Sequence, residues 1–291
     1  MKSIQSRRGT ASWRAVPAIG LLVLLTTAPL GCAVQTPDAT STTATQATAN
    51  ATVANAADAR PVDAEAVDAD AVAALDRMGA YLRSLKTFSV KGDSTFDLVT
   101  EEGELVEIPG TLDYQVRVPD GLRMQVRSDH KERDVYYDGH TLTVYGPKDK
   151  YFATVDAPAT LHELVNVAAS KYGIELPLAD LFLWGTKQAP TSALGSAAAV
   201  GPATIGGVAT HQYVFRQGAT DWQVWIADGA QPVPRRIVIT TTTDAARPQY
   251  ATTLTWNTSA AAAPSTFAFT PPAGAQRIEL VQVAVIEEKS P

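Results

Sequence analysis

The chain has 291 residues, 45% of them hydrophobic and 19% charged, with 24 Lys+Arg against 30 Asp+Glu for a net charge of −6. A single cysteine excludes an intramolecular disulfide, so the fold has to be held by its own apolar core. The acidic balance argues against nucleic acid or another polyanion as a partner, the more so because residues 1–31 hold four basic and no acidic residues and leave the remainder at 20 against 30, a net of −10.

The N-terminus reads as an export signal. Lys2, Arg7, Arg8 and Arg14 form a positive region, Ile19 to Leu25 an apolar one, and Leu30-Gly31-Cys32 a small-residue boundary. Gly31 before Cys32 suits a bacterial lipoprotein signal, in which the thiol is acylated (palmitate being the usual fatty acid) and becomes the new N-terminus. Pro29 departs from that pattern, because an aliphatic residue is usual there. Two alternatives stay open: cleavage after Ala33, giving a soluble exported protein, and an uncleaved anchor, for which Pro17, Gly20 and Pro29 dilute the apolar stretch. Residues 32–65 are rich in Ala, Thr, Asp and Val with no aromatic residue, as in Ser41-Thr42-Thr43-Ala44-Thr45, and are expected to form a flexible tether. Residues 66–291 suit one domain.

That domain opens with a helix. Val72, Leu75, Met78, Leu82 and Leu85 recur at helical spacing behind Asp70, a candidate N-cap. After Thr87 the period becomes two: Phe88 and Val90 start a strand, Glu101 to Glu104 a turn, and Tyr114, Val116 and Val118 a returning strand. Pro119-Asp120-Gly121 turns the chain into Leu122, Met124 and Val126, which alternate with Arg123, Gln125 and Arg127. Asp138-Gly139 sets a hairpin between Tyr136-Tyr137 and Leu142 to Tyr145, followed by a strand over 151–155. Thr160-Leu161-His162-Glu163 is a capping box that starts a second helix, and Gly173 stops it. Leu176 to Trp184, broken by Pro177, suits a short helix or lid. Residues 189–209 are rich in Ala, Gly, Ser and Pro and read as loop. Strands are expected over 211–215, 222–226, 236–240, 250–256 and 278–285.

Catalytic signals are sparse. The sequence has no Gly-x-Ser-x-Gly elbow, phosphate loop or paired-histidine metal motif. His130, His140, His162 and His211 never fall three to five residues apart. We therefore expect a non-enzymatic protein with no cofactor and no metal. Trp222 and Trp225 must lie on opposite faces of one strand, as must Tyr136 and Tyr137. One sheet face is thus lined by large apolar side chains, which either fill a core or leave a cavity for an acyl chain; periodicity does not separate the two.

Two blocks, Arg117-Val118-Pro119-Asp120-Gly121-Leu122-Arg123 and Asp138-Gly139-His140-Thr141-Leu142-Thr143-Val144-Tyr145-Gly146-Pro147, resemble the signature of bacterial outer-membrane lipoprotein carriers, with His140 where a lysine is common. Three more, Leu75 to Leu82, Tyr172 to Leu181 and Asp221 to Ile226, resemble an uncharacterised family of predicted periplasmic proteins in the same superfamily. The resemblance implies an α+β fold, mainly antiparallel β: an open, unclosed barrel or strongly curved sheet capped by helices. The helix at 160–172 and the segment 176–184 would be its lid, and Met124, Trp222, Trp225, Leu181 and Trp184 are candidates to line its interior. It further implies an envelope protein, periplasm-facing and held through acylated Cys32, that binds a lipid, acyl chain or lipoprotein. The alternative on the same fold is a sensor that contacts another envelope protein.

Overall fold

The computed structural model describes residues 66–282 apart from 175 and 188. The export signal, Cys32 and the whole of the expected tether lie outside the described residues, as does the end of the strand expected over 278–285.

Helix α1 (Ala69–Ser84) starts at Asp68, whose carboxylate accepts from the Asp70 N–H at 2.8 Å, two residues before the expected cap. A meander follows: β1 (Thr87–Val99), β2 (Leu105–Arg117), β3 (Gly121–Ser128), β4 (Glu132–Tyr137), β5 (Thr141–Gly146) and β6 (Tyr151–Asp156). Helix α2 (Leu161–Tyr172) and a 3-10 turn at Ala179–Phe182 interrupt it. A second meander comprises β7 (Ser196–Ile205), β8 (Val208–Gln217), β9 (Thr220–Ala227), β10 (Pro234–Thr241) and β11 (Gln249–Asn257). The two meanders join where β1 pairs with β11. With the short β12 (Gln276–Arg277) added parallel to β6, all strands form one twelve-stranded sheet that does not close on itself.

Strand β7 corrects the loop expected over 189–209. Its sequence, Ser-Ala-Ala-Ala-Val-Gly-Pro-Ala-Thr-Ile, lacks the β-branched alternation that marks a strand, and a register shift falls between Ala199 and Gly201. Pairing with β8 through the Gly206-Gly207 turn, where both glycines have positive φ, imposes the strand from outside the segment. The expected strand at 278–285 is corrected too: among its described residues none is in a strand, and the C-terminal pairing is confined to Gln276 and Arg277.

Both helices pack on one face of the sheet. The inner face carries Phe88, Val90, Tyr114, Val116, Leu122, Tyr137, Phe215, Trp222 and Leu254, which form one core with Leu75, Met78 and Leu82 of α1 and with Leu164 and Ala168 of α2. On the outer face the C-terminal segment makes a smaller cluster. Phe267 is 1% exposed against Gly121, with the Arg117 guanidinium 4.8 Å above its ring. Phe269 sits among Tyr136, Tyr145 and Phe152 at centroid distances of 5.1 to 5.5 Å. This strap ends by pairing β12 with β6, which covers that sheet edge. Phe267→Ala should therefore lower the unfolding free energy by about 3–5 kcal/mol in urea titrations, the cost of emptying a buried aromatic site.

Candidate functional site

The sheet and the segment between the two meanders enclose a cavity of about 260 Å3. Its floor is the inner face where the meanders meet: Phe88, Val90, Tyr114, Val116, Leu122 and Trp256. Leu161, His162 and Val165 of α2 form part of the roof, and Leu176, Pro177, Leu178, Ala179, Leu181, Leu183 and Thr186 complete it. The end of α1 closes one side with Leu82 and Arg83.

Local sequence explains why the roof stands there. At the start of α2 the Thr160 hydroxyl accepts the Glu163 N–H at 3.3 Å and donates to the Glu163 carboxylate at 2.9 Å. At its end Gly173 adopts φ +61°, and the Ile174 N–H returns to the Ala168 carbonyl. Two contacts tie the entry of α2 to the sheet: the Leu161 N–H donates to the Pro119 carbonyl at 2.7 Å, and the Tyr137 hydroxyl to the Pro158 carbonyl at 2.6 Å.

The following segment is pinned at two points. The Tyr114 hydroxyl, rising from the floor, donates to the Pro177 carbonyl. At the far end Arg83 Nη1 donates to the Trp184 carbonyl, and the Trp184 ring stacks on Trp222 with centroids 4.9 Å apart. Between the pins Leu178 faces the cavity with φ +66°, a conformation that costs a non-glycine residue about 1–2 kcal/mol. Burial pushes the Tyr114 phenol well above its ordinary range, with Tyr250 adding to the shift. Burial likewise raises Tyr137 to about 12, assisted by Asp120, Glu163 and Asp138. Both hydroxyls are donors at any physiological pH.

Of the residues singled out in the sequence, Leu181 lines the cavity. Trp184 backs the roof, with its ring between the roof and β9. Met124 is 1% exposed in the core on β3. Trp222 stacks between Trp184 and Phe215, at 4.9 and 4.2 Å, and fills its space. Trp225 lies on the outer face beneath the Arg236 guanidinium. Sequence reasoning missed Val116, Val118, Leu122, Val165 and Trp256, whose apolar character is indistinguishable from that of core residues, and it missed Arg83 and His162. His211 Nδ1 is 2.6 Å from Asp228 Oδ1, and both side chains are exposed. No three His, Cys, Asp or Glu side chains converge on a metal position among the described residues, and no helix there is long and apolar enough to cross a membrane.

Residues 71–281, which include most of α1, all of α2 and every strand, match the family described as predicted periplasmic protein, DUF2092. The chain belongs to that family. No curated protein matches it. Among solved structures, the DUF2092 protein is similar to the lipoprotein LppX of Mycobacterium tuberculosis, with 16% identity over 65% of this chain and 96% of that one, TM-score 0.42. LprF of Mycobacterium bovis is 14% identical, covering 72% and 100% with TM-score 0.40. A LolA superfamily protein from Nitrosomonas europaea is 9% identical, covering 68% and 97% with TM-score 0.33.

Replacing Tyr114 by Phe removes one latch of the roof. We expect a stability loss of about 0.5–1.5 kcal/mol and faster amide hydrogen exchange over 176–183, with α1 unchanged. Raised phenol pKa values also fix the alkaline limit. The unfolded phenol titrates near 10, so the stability Tyr137 contributes is whole below pH 10 and is lost as pH climbs towards 12. Urea midpoints measured from pH 9 to 11.5 should fall in the wild type and fall less in Tyr137→Phe.

Proposed function

We propose that this periplasmic-family protein binds a single apolar chain, of the lipid or acyl class, by reversible burial under the roof and without covalent chemistry. The cavity between the sheet and the roof carries this reading. A methylene takes up about the volume of a water molecule, ~30 Å3, so 260 Å3 accommodates about nine such groups. That is the size of one medium acyl chain, at the lower edge of ordinary ligand pockets. Two or three chains of a multiply acylated lipid would not fit together without further opening of the roof.

The same proposal keeps the body near a membrane surface through acylated Cys32, with residues 32–65 as tether. Feeding cells a palmitate analogue should label the wild-type protein and leave Cys32→Ser unlabelled.

Chain length is the direct test of the cavity. Each methylene buried is worth ~0.8 kcal/mol, so affinity for straight-chain ligands should rise about fourfold per added carbon. The rise should level off near ten carbons as the cavity fills, as read by calorimetric titration of the delipidated protein. Val116→Trp and Ala179→Phe, which fill the space from floor and roof respectively, should each abolish binding while the urea midpoint shows the fold intact. A flat chain-length series would overturn the reading.

A further inference from the structure

We infer that the ligand is an anionic single-chain amphiphile, its acid group held at the cavity mouth by Arg83. This inference rests on the cavity reading above. The interior offers little to a polar group: the Tyr114 hydroxyl is committed to the Pro177 carbonyl, and the Thr186 hydroxyl donates to the Leu183 carbonyl. Among the described lining residues the charged side chain is that of Arg83, in the last turn of α1, and the imidazole of His162 comes from the first turn of α2. Both line the cavity and are nonetheless solvent-exposed, which places them at its opening. No Asp or Glu is among the described side chains that line the cavity. Glu163, in the same turn as His162, is engaged with Thr160.

Arg83 is held in place without being used up. Its Nη1 donates to the Trp184 carbonyl, which is its one hydrogen bond among the described residues. The rest of its planar fork is able to take a carboxylate or phosphate oxygen, the geometry for which guanidinium is best suited. A cationic mouth also runs against the charge of the chain, which outside residues 1–31 has a net of −10. A guanidinium at an apolar opening discriminates for acids over neutral or cationic amphiphiles of the same length.

Titration of the delipidated protein at pH 7.4 with four ten-carbon probes tests this: decanoate, decyl phosphate, decanol and decyltrimethylammonium. At least one of the two acids should bind about tenfold or more tighter than decanol, the scale of a hydrogen bond to a charged group, and the ammonium should bind weakest. The better acid identifies the headgroup as carboxylate or phosphate. Arg83→Gln removes a roof pin as well as the charge, so it should weaken every probe, but the loss should be about tenfold larger for that acid than for decanol, with Arg83→Lys recovering part of the difference. Equal binding of decanol and both acids, or an equal loss of acid and alcohol in Arg83→Gln, overturns the headgroup assignment and leaves the cavity reading standing. If none of the four probes binds, both readings fail.

Discussion

The arrangement around the cavity depends on how Trp184 is held. Its carbonyl lies against α1 where Gly79 has no side chain; a Cβ there would stand 2.6 Å from the oxygen. One turn further on, Arg83 donates to the same carbonyl. Its ring meanwhile stacks on Trp222, which stacks on Phe215. One residue thus joins the first helix, the roof and the second meander. Among the described residues, the other hydrogen bond that holds the segment from Pro177 onward over the sheet is the one from Tyr114.

This anchoring divides the inner face into a filled part and a hollow part. Ala71, Ala74, Leu75, Met78, Gly79 and Leu82 of α1 are buried and, with Trp184 and Trp222, close the space they cover. Only Leu164 and Ala168 of α2 are buried. A helix that sinks two side chains into the core acts as a cover, and the space below it is left to whatever enters from the mouth. Hollow space is retained because the floor belongs to a continuous hydrogen-bonded sheet that cannot move inward strand by strand, and because Tyr114 and Tyr137 prop the roof through carbonyls at Pro177 and Pro158.

Much of the fold is legible in the sequence because local chemistry and tertiary structure agree there. Asp138-Gly139, the Thr160 cap and the Gly173 stop each do locally what the fold requires. Strand β7 was not legible, since its Ala-Gly-Pro sequence takes its conformation from β8. The site was legible only in outline. The roof follows from Pro177 and the apolar run around it, and Leu181 lies where a roof residue should. Large aromatics such as Trp222 are poor guides to a void because they consume volume. Cavity walls are built instead from mid-sized residues, Val116, Val118, Leu122 and Val165, that carry the same pattern as a packed core. Arg83 was hidden for a different reason: as a basic residue in the last turn of a helix it already has an ordinary explanation through the helix dipole.

An apolar void is costly to keep. The residues lining it forgo the contacts that a packed core would give them. Leu178 adds to the same side of the balance, since a glycine there would relieve its left-handed backbone. Strain in the roof and emptiness beneath it have a common effect: both raise the energy of the closed, unfilled state. On the proposed reading, a chain that occupied the cavity would recover the lost contacts, and its binding would be coupled to closure of the roof. The latch at Tyr114, a single hydrogen bond from floor to roof, is weak enough for that coupling to work in both directions.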